Sequence, residues 1–467
     1  MSEQEPLTYY IHLMNRAGFG LSTKELQTIH GTPFAEFRQS WINRSNEPAK
    51  PLIVVEENTR TPQRQKKDRQ QVQRENNRAI AQLNLLWMDE MTDSKVQLRE
   101  KLALFWHGHF ACRSNNAYFH QQLLHRIREH ALGNFGTLLQ KVGQSAAMLQ
   151  FLNNQQNKKR HPNENFAREV MELFTLGRDN YTETDIKEAA RAFTGWSFDQ
   201  SGEFVFREQV HDQGRKTIFG KQGNFKGEDV LELLLEREET ASFIAGKLYR
   251  YLVNDTPHPE HVAWLSKRFH QGNYELLPLI EDILTARWFY EDANMGNLIK
   301  SPVELITNTR RLLNLNIETP NSLIQLQRNL GQWLFHPPNV AGWPSGTDWI
   351  DSSSLVARMR IPLLISKEET FYPTKKQDDD VQMGMQRQVK KPERNKGLRL
   401  LAIADWDGFG NQLSAVANSK WQDSLPTLML GINAQRLDSR LLQNLVKSKE
   451  LSSLTLALMG TPEYQLA

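Results

Sequence analysis

Apolar residues recur through most of this chain at intervals of three and four, and that spacing admits few folds other than packed helices. In DSKVQLREKLALF, Leu98, Leu102 and Phe105 fall at i, i+4 and i+7, one buried helical face, with Asp93 or Ser94 placed to cap it. HRIREHALGNFGTLLQKV reads as two helices punctuated by Gly133, and ASFIAGKLYRYLV as another with Phe243, Leu248 and Leu252 inward. One stretch breaks the period. Between Gly202 and Gly220, GEFVFREQV, the turn-forming HDQG and KTIFG predict a β-hairpin, with Gly214 supplying a positive φ. The expected fold is mainly α, a multi-helix globular body with one small β-hairpin near residues 202–220.

Two stretches lack the apolar residues that helix packing needs. From Gln63 to Arg78, QRQKKDRQQVQRENNR offers only Val72 to a core, so a solvated helix or polar connector is expected near residues 56–80. From Thr374 to Lys396 the chain is rich in Lys, Gln and Asp, and residues 371–397 read as a polar linker or loop. That divides a main helical body, residues 1–370, from a C-terminal helical segment, residues 398–467, expected to pack on it.

Charge and cysteine content narrow the function classes. With 57 basic and 54 acidic residues the formal charge is only +3, so no global field draws the chain to nucleic acid or anionic lipid. Cys112 stands alone, which excludes an intrachain disulfide and the cysteine-rich zinc modules. The N-terminus lacks a basic region followed by an apolar one, and no segment approaches the roughly 18 apolar residues of a membrane span. A cytoplasmic location is the expectation from the residues themselves.

Five segments concentrate chemistry-bearing residues. In FWHGHFAC, His107 and His109 share a metal only if the segment is extended, because on a helix their imidazoles diverge by about 200 degrees. HPNENFAREVMELFTLG predicts a helix from Glu164 to Leu176, capped by Asn163 and ended by Gly177. On it Asn165, Glu169 and Glu172 form a polar stripe, and carboxylates at i and i+3 can hold a divalent ion; the plainer role for Glu172 is an ion pair with Arg168. YTETDIKEAARAFTGW starts with a capping box of Thr182 and Asp185, and its few cations argue against a DNA-binding helix-turn-helix. In VHDQGRKTIFG, His211, Asp212 and Lys216 surround a turn that can aim them into a cleft, although Asp212 can equally serve the turn alone. FHPPNVAGWPSGTDWI is a proline-stiffened loop that presents His336, Asn339, Trp343 and Asp348.

These segments, with HLMNRAGFG near the start and MGTPEYQLA at the end, resemble the bacterial family catalogued as domain of unknown function 1800 over nearly the whole chain. The long strings NENFAREVMELFTLG and HPPNVAGWP make the resemblance specific. It implies no established reaction. It does imply a gene neighbourhood shared with proteins that resemble sulfatases and alkaline phosphatases, and members that are commonly exported. Because the first motif stands almost at the start of this chain, no export signal is expected.

Two functions compete on these grounds. One is a metal-dependent enzyme, most simply a hydrolase, in which His107, His109, Glu169, Glu172 and His336 supply ligands for zinc, manganese or iron. There His211 or Asp212 would move protons and Lys216 would steady an anion, with Glu164 a further catalytic candidate. The other is a non-catalytic binding or maturation partner of a sulfatase- or alkaline-phosphatase-like protein.

Overall fold

The computed structural model describes residues 6–56, 69–366, 402–416, 421–433, 436–437 and 450–467. Its first layer is α1 (Leu7–Arg16), α2 (Thr23–Gly31) and α3 (Phe34–Arg44), followed by the long α4 (Arg69–Asp93) and α5 (Gln97–His109). Next come α6 (Ala117–His130), α7 (Phe135–Gly143), α8 (Ala146–Phe151), α9 (Asn165–Glu169) and α10 (Glu183–Ala192). Beyond two short hairpins lie α11 (Gly227–Leu235), α12 (Glu238–Leu252), α13 (Pro259–Gln271), α14 (Leu276–Thr285), α15 (Pro302–Leu313) and α16 (Pro320–Leu330). The described part closes with α17 (Ser352–Met359), α18 (Ile361–Ile365), α19 (Trp406–Val416), α20 (Trp421–Leu430) and a last helix, Leu451–Met459. Mainly α is therefore the fold class, as the apolar period predicts.

Local chemistry starts several helices, although α5 begins at Gln97 behind Val96, which makes no side-chain cap bond, and not at the expected Asp93 or Ser94, while ahead of α9 Asn163 Oδ1 accepts from Asn165 N. Asn116 Oδ1 accepts from the backbone N–H of Tyr118 and Phe119, Thr182 and Asp185 close a capping box, and Ser301 and Glu304 close another ahead of α15 with Pro302 at its first position. Apolar side chains from Tyr10 to Tyr464 form one continuous core. Within it α19 packs on α2, α20 on α1 and the last helix on α18.

Two central helices are buried nearly all round although half their residues are polar. In α15 every residue but Glu304 is buried, and in α5 every residue but Phe105 and Gly108. Each buried polar group then needs a partner. Asn308 donates to Phe19 O, Arg311 to Gly20 O and the Glu25 carboxylate, Arg310 to Asp89, and Arg99 to Arg128 O and Glu129 O. Gly20, at φ 87°, lies so close to this strut that an added Cβ would meet Asn308 Nδ2 at 1.7 Å.

The expected hairpin is replaced by two. β1 (Trp196–Phe198) pairs antiparallel with β2 (Phe204–Phe206), and β3 (Lys216–Ile218) with β4 (Lys221–Gly223). The WSF segment before the Asp199–Glu203 turn is the partner of FVF, while Phe219 and Gly220, at φ 47° and 76°, make a tight second turn. Gly214 is not in the left-handed region; its N–H donates to Asp212 Oδ1 at 2.8 Å, so HDQG turns by a side-chain bond. A third pair joins β5 (Asn316–Ile317) to β6 (Ala402–Ile403). Residues 69–78 of the first polar stretch begin α4, whereas 57–68 and the expected 371–397 linker lie outside the described residues.

Candidate functional site: a buried cationic cluster

The residues singled out in the sequence do not converge as one site. Helix α5 runs through His109, so His107 and His109 leave it on different faces, the geometry that prevents a shared metal. His107 Nε2 accepts from Phe335 N at 3.2 Å among Trp87, Phe335 and Trp343. His109 faces Phe174 O through Nε2 at 3.2 Å and Lys247 Nζ through Nδ1 at 3.1 Å. His336 comes near His107 together with His120, stacks on Trp333 at 3.4 Å, and meets Leu334 O through Nδ1. Burial pushes the His107 and His120 imidazoles down to about 3 and His336 to about 4, so all three are neutral near pH 7. Among the described residues no group of three or more His, Cys, Asp or Glu side chains is placed to hold a metal ion.

The Glu164–Leu176 helix forms, but its second half is π-helical. α9 ends at Glu169, Val170–Thr175 follow with wider turns, and Gly177 at φ 77° ends it as predicted. The wider turn displaces the expected stripe. Glu172 accepts from Arg178 Nε at 2.8 Å and Tyr181 Oη at 2.7 Å, not from Arg168, which pairs with Glu183 and Glu164. Glu169 is half-buried; burial, then the nearby Glu172 charge, raises its carboxyl above the usual range.

Around the second hairpin the sequence-predicted trio does come together, held by structural bonds. Arg191 forks onto both Asp212 oxygens at 2.8 and 3.2 Å, and Lys216 Nζ donates to Asp212 O and Gly214 O. His211 meets Thr194 O through Nδ1 at 2.8 Å, and its buried Nε2 has no hydrogen-bond partner among the described residues. Lys159, Glu208, Gln209, His211, Asp212 and Gln213 line a wide, open depression of about 530 Å³ here. Its floor is the Arg191–Asp212 ion pair and the carbonyls and Asn224 Oδ1 that hold Lys216.

The unbalanced charge lies elsewhere. Arg16 ends α1, Lys101 sits mid-α5, Lys300 precedes α15 and Arg358 lies on α17, and all four are buried. Among the described residues Glu304 is the carboxylate ion-paired with the group, through Lys101, and it accepts from Ser301 N at 2.7 Å; the Asp255 charge also acts on Arg16. Burial would raise the Glu304 carboxyl, yet Lys101 and the Ser301 bonds bring it below the usual range. Burial lowers every cation: Arg16 to about 9, Lys300 to about 7 and Arg358 to about 10, with Glu304 opposing the shift in each. Lys300 also feels Lys101, Arg358 and Arg16, so the four charges form one group.

Backbone carbonyls satisfy part of this group. Lys300 Nζ donates to Tyr464 O at 2.9 Å over the Tyr464 ring, Arg358 Nη1 to Lys300 O, Lys101 Nζ to Asn15 O, and Arg16 Nη2 to Asn294 O and the Asn297 side chain. Arg16 Nε and Nη1 and Arg358 Nε and Nη2 are buried without a hydrogen-bond partner among the described residues. The group reaches solvent at its edge, where the Glu304 side chain is 12% exposed. Sequence reading passed over these residues because none stands in a paired motif. The signals that mark them are Arg16 four residues after His12 in the largely apolar helix LTYYIHLMNR, and a lysine directly before the SPVE capping box.

Fold and site together define a mainly helical protein built around a buried surplus of positive charge. The chain belongs to the family described as protein of unknown function (DUF1800), whose sequence model matches residues 12–466. No curated protein and no solved structure matches it. No helix among the described residues is long and apolar enough to cross a membrane.

Proposed function

We propose that this chain binds a small oxyanion of about two negative charges, a phosphate, a sulfate or an ester of either, at the cluster of Arg16, Lys101, Lys300 and Arg358. The observation that carries this reading is four buried cations grouped with two carboxylates, Glu304 among them and Asp255 beside Arg16, with guanidinium nitrogens left unpartnered. An unpaired buried charge costs several kcal/mol, and a fold does not keep several without a counter-charge. An oxyanion against Lys300 would neutralise the surplus and offer acceptors to guanidinium forks, whose planar donors match phosphate and sulfate oxygens. Metal-dependent hydrolysis through His107, His109, Glu169, Glu172 and His336, and service to a sulfatase- or phosphatase-like partner, have no comparable support in the geometry.

Urea unfolding in sodium phosphate or sulfate, against chloride at equal ionic strength, tests this. A ligand at a hundred times its Kd should add about 2.7 kcal/mol to wild-type stability. Arg358→Met should abolish that gain while costing little in chloride, because it removes a surplus cation. Equal wild-type stability in all three salts would overturn the reading and leave the cluster a structural ion network.

A further inference from the structure

A nucleophile-bearing place lies on the seam between α5 and α12, which reaches the cationic cluster at Lys101 and leads away from it to Lys247. Lys101, Phe105 and His109 follow at i, i+4 and i+8 on α5, and Lys247 and Tyr251 at i and i+4 on α12 face them. Tyr251 packs on Phe105 with ring centroids 5.1 Å apart, and Lys247 Nζ meets His109 Nδ1 at 3.1 Å. Because His109 Nε2 faces the Phe174 carbonyl, its N–H donates there and Nδ1 is left as a lone-pair acceptor for Lys247. The π-helical turn thus fixes the imidazole, and the imidazole fixes the lysine.

Lys247 is placed as few lysines are. Among the described residues no carboxylate lies within ion-pair distance of it, and its Nζ stands 4.8 Å from the Phe243 ring centre. It is neither fully buried nor freely exposed, so part of the side chain meets solvent at this seam. We propose that Lys247 is a nucleophilic amine that condenses with the carbonyl group of an apolar aldehyde or ketone to form an imine at this seam. The neutral amine lone pair attacks the carbonyl carbon and a C–N bond forms while the oxygen takes up a proton. The carbinolamine then loses its C–O bond as water, and the nitrogen gives up its remaining proton, so amine and carbonyl become imine and water with no redox change. His109 is a positioning residue that holds Nζ by its lone pair. The Phe243 ring beside Nζ supplies the apolar wall that selects a hydrocarbon-bearing carbonyl, and Phe105 stacks on His109.

Burial, and then the Arg250 charge, lowers the Lys247 ammonium to about 8, so far more of it is neutral near pH 7 than of a solvated lysine. The test is reductive trapping of the full-length protein with benzaldehyde and cyanoborohydride at pH 7, read by peptide mapping. Lys247 should be benzylated roughly tenfold or more faster than the median lysine, with a rate-against-pH midpoint near 8. Lys247→Met should remove that fast site and leave the slow background. His109→Gln should move the midpoint and rate of Lys247 labelling, which a merely structural imidazole would not. Labelling of wild-type Lys247 at or below the median rate would overturn the proposal without any variant having to fold, and has no bearing on the oxyanion reading.

Discussion

Glu100 is wholly buried, and its carboxylate is the acceptor for Arg128 Nε and Nη2 and for Trp87 Nε1 at 2.7–3.0 Å. Removing the charge leaves the Arg128 guanidinium facing a half-buried Glu90 at 3.5 Å and the Lys50 carbonyl. Glu100→Gln should therefore cost about 3–5 kcal/mol at neutral pH, the cost of stranding a buried charge, measured by urea unfolding. A loss below about 1 kcal/mol would mean water reaches Arg128 and the pair is effectively at the surface. Nothing in LREKL marks Glu100 as buried. The apolar period correctly turns Leu98 and Leu102 inward, but it treats Arg99, Glu100 and Lys101 as a solvated face, and here α5 has no solvated face. The same blind spot hid Arg16, Lys300 and Arg358. Periodicity registers which residues seek a core; it is silent on polar residues that are enclosed because neighbouring elements supply their partners.

Element limits were more legible than element geometry. The Thr182–Asp185 box and Gly177 act where the sequence puts them, since caps depend on residues within one turn, whereas α5 starts at Gln97, beyond the expected Asp93 or Ser94. The π-helical turn at Val170–Thr175 carries no comparable local mark, and it is set by packing on α12. It is also held from within, because the buried Thr175 Oγ1 donates to Val170 O at 2.7 Å. Thr175→Val keeps the shape and removes that bond, so it should destabilise by about 1 kcal/mol and speed amide exchange over residues 170–176. Unchanged exchange there would show that the outside packing alone maintains the wide turn. The hairpin error has a related cause. Both FVF and KTI are strand-forming, but each pairs with a segment only a few residues away, and the short turns at Asp199–Glu203 and Phe219–Gly220 decide that register.

At the scale of the whole molecule, the helical class followed from the period, while the arrangement of helices around two polar struts did not, because it depends on long-range pairs such as Lys101–Glu304 and Arg311–Glu25. Enclosing so many polar groups makes stability depend on pH in a direction that the burial of histidines determines. His107 and His120 sit near 3 and His336 near 4 in the folded chain, against 6.5 when solvated. His12 and His109 are also lowered, chiefly by burial. A lowered folded pKa means the unfolded chain binds more protons, so the stability these groups allow is complete above 6.5 and drains away as the pH falls through 6.5 towards 3. Glu90 and Glu169, raised chiefly by burial, act in the opposite sense as they take up protons. Glu172, lowered chiefly by its Tyr181 bond, and Asp212, lowered chiefly by Arg191, lose stability only below the ordinary carboxylate range. Between pH 7 and 5 the histidines therefore set the sign. Each of His107 and His120 should cost about 1 kcal/mol on going from pH 7.5 to 5.5. Urea unfolding at the two pH values should show the wild-type chain losing at least that sum, and His120→Gln, which cannot take up the proton, should lose about 1 kcal/mol less. A wild-type chain equally stable at both values would mean that these imidazoles keep contact with water, and the neutral cluster around Phe335 would have to be given up.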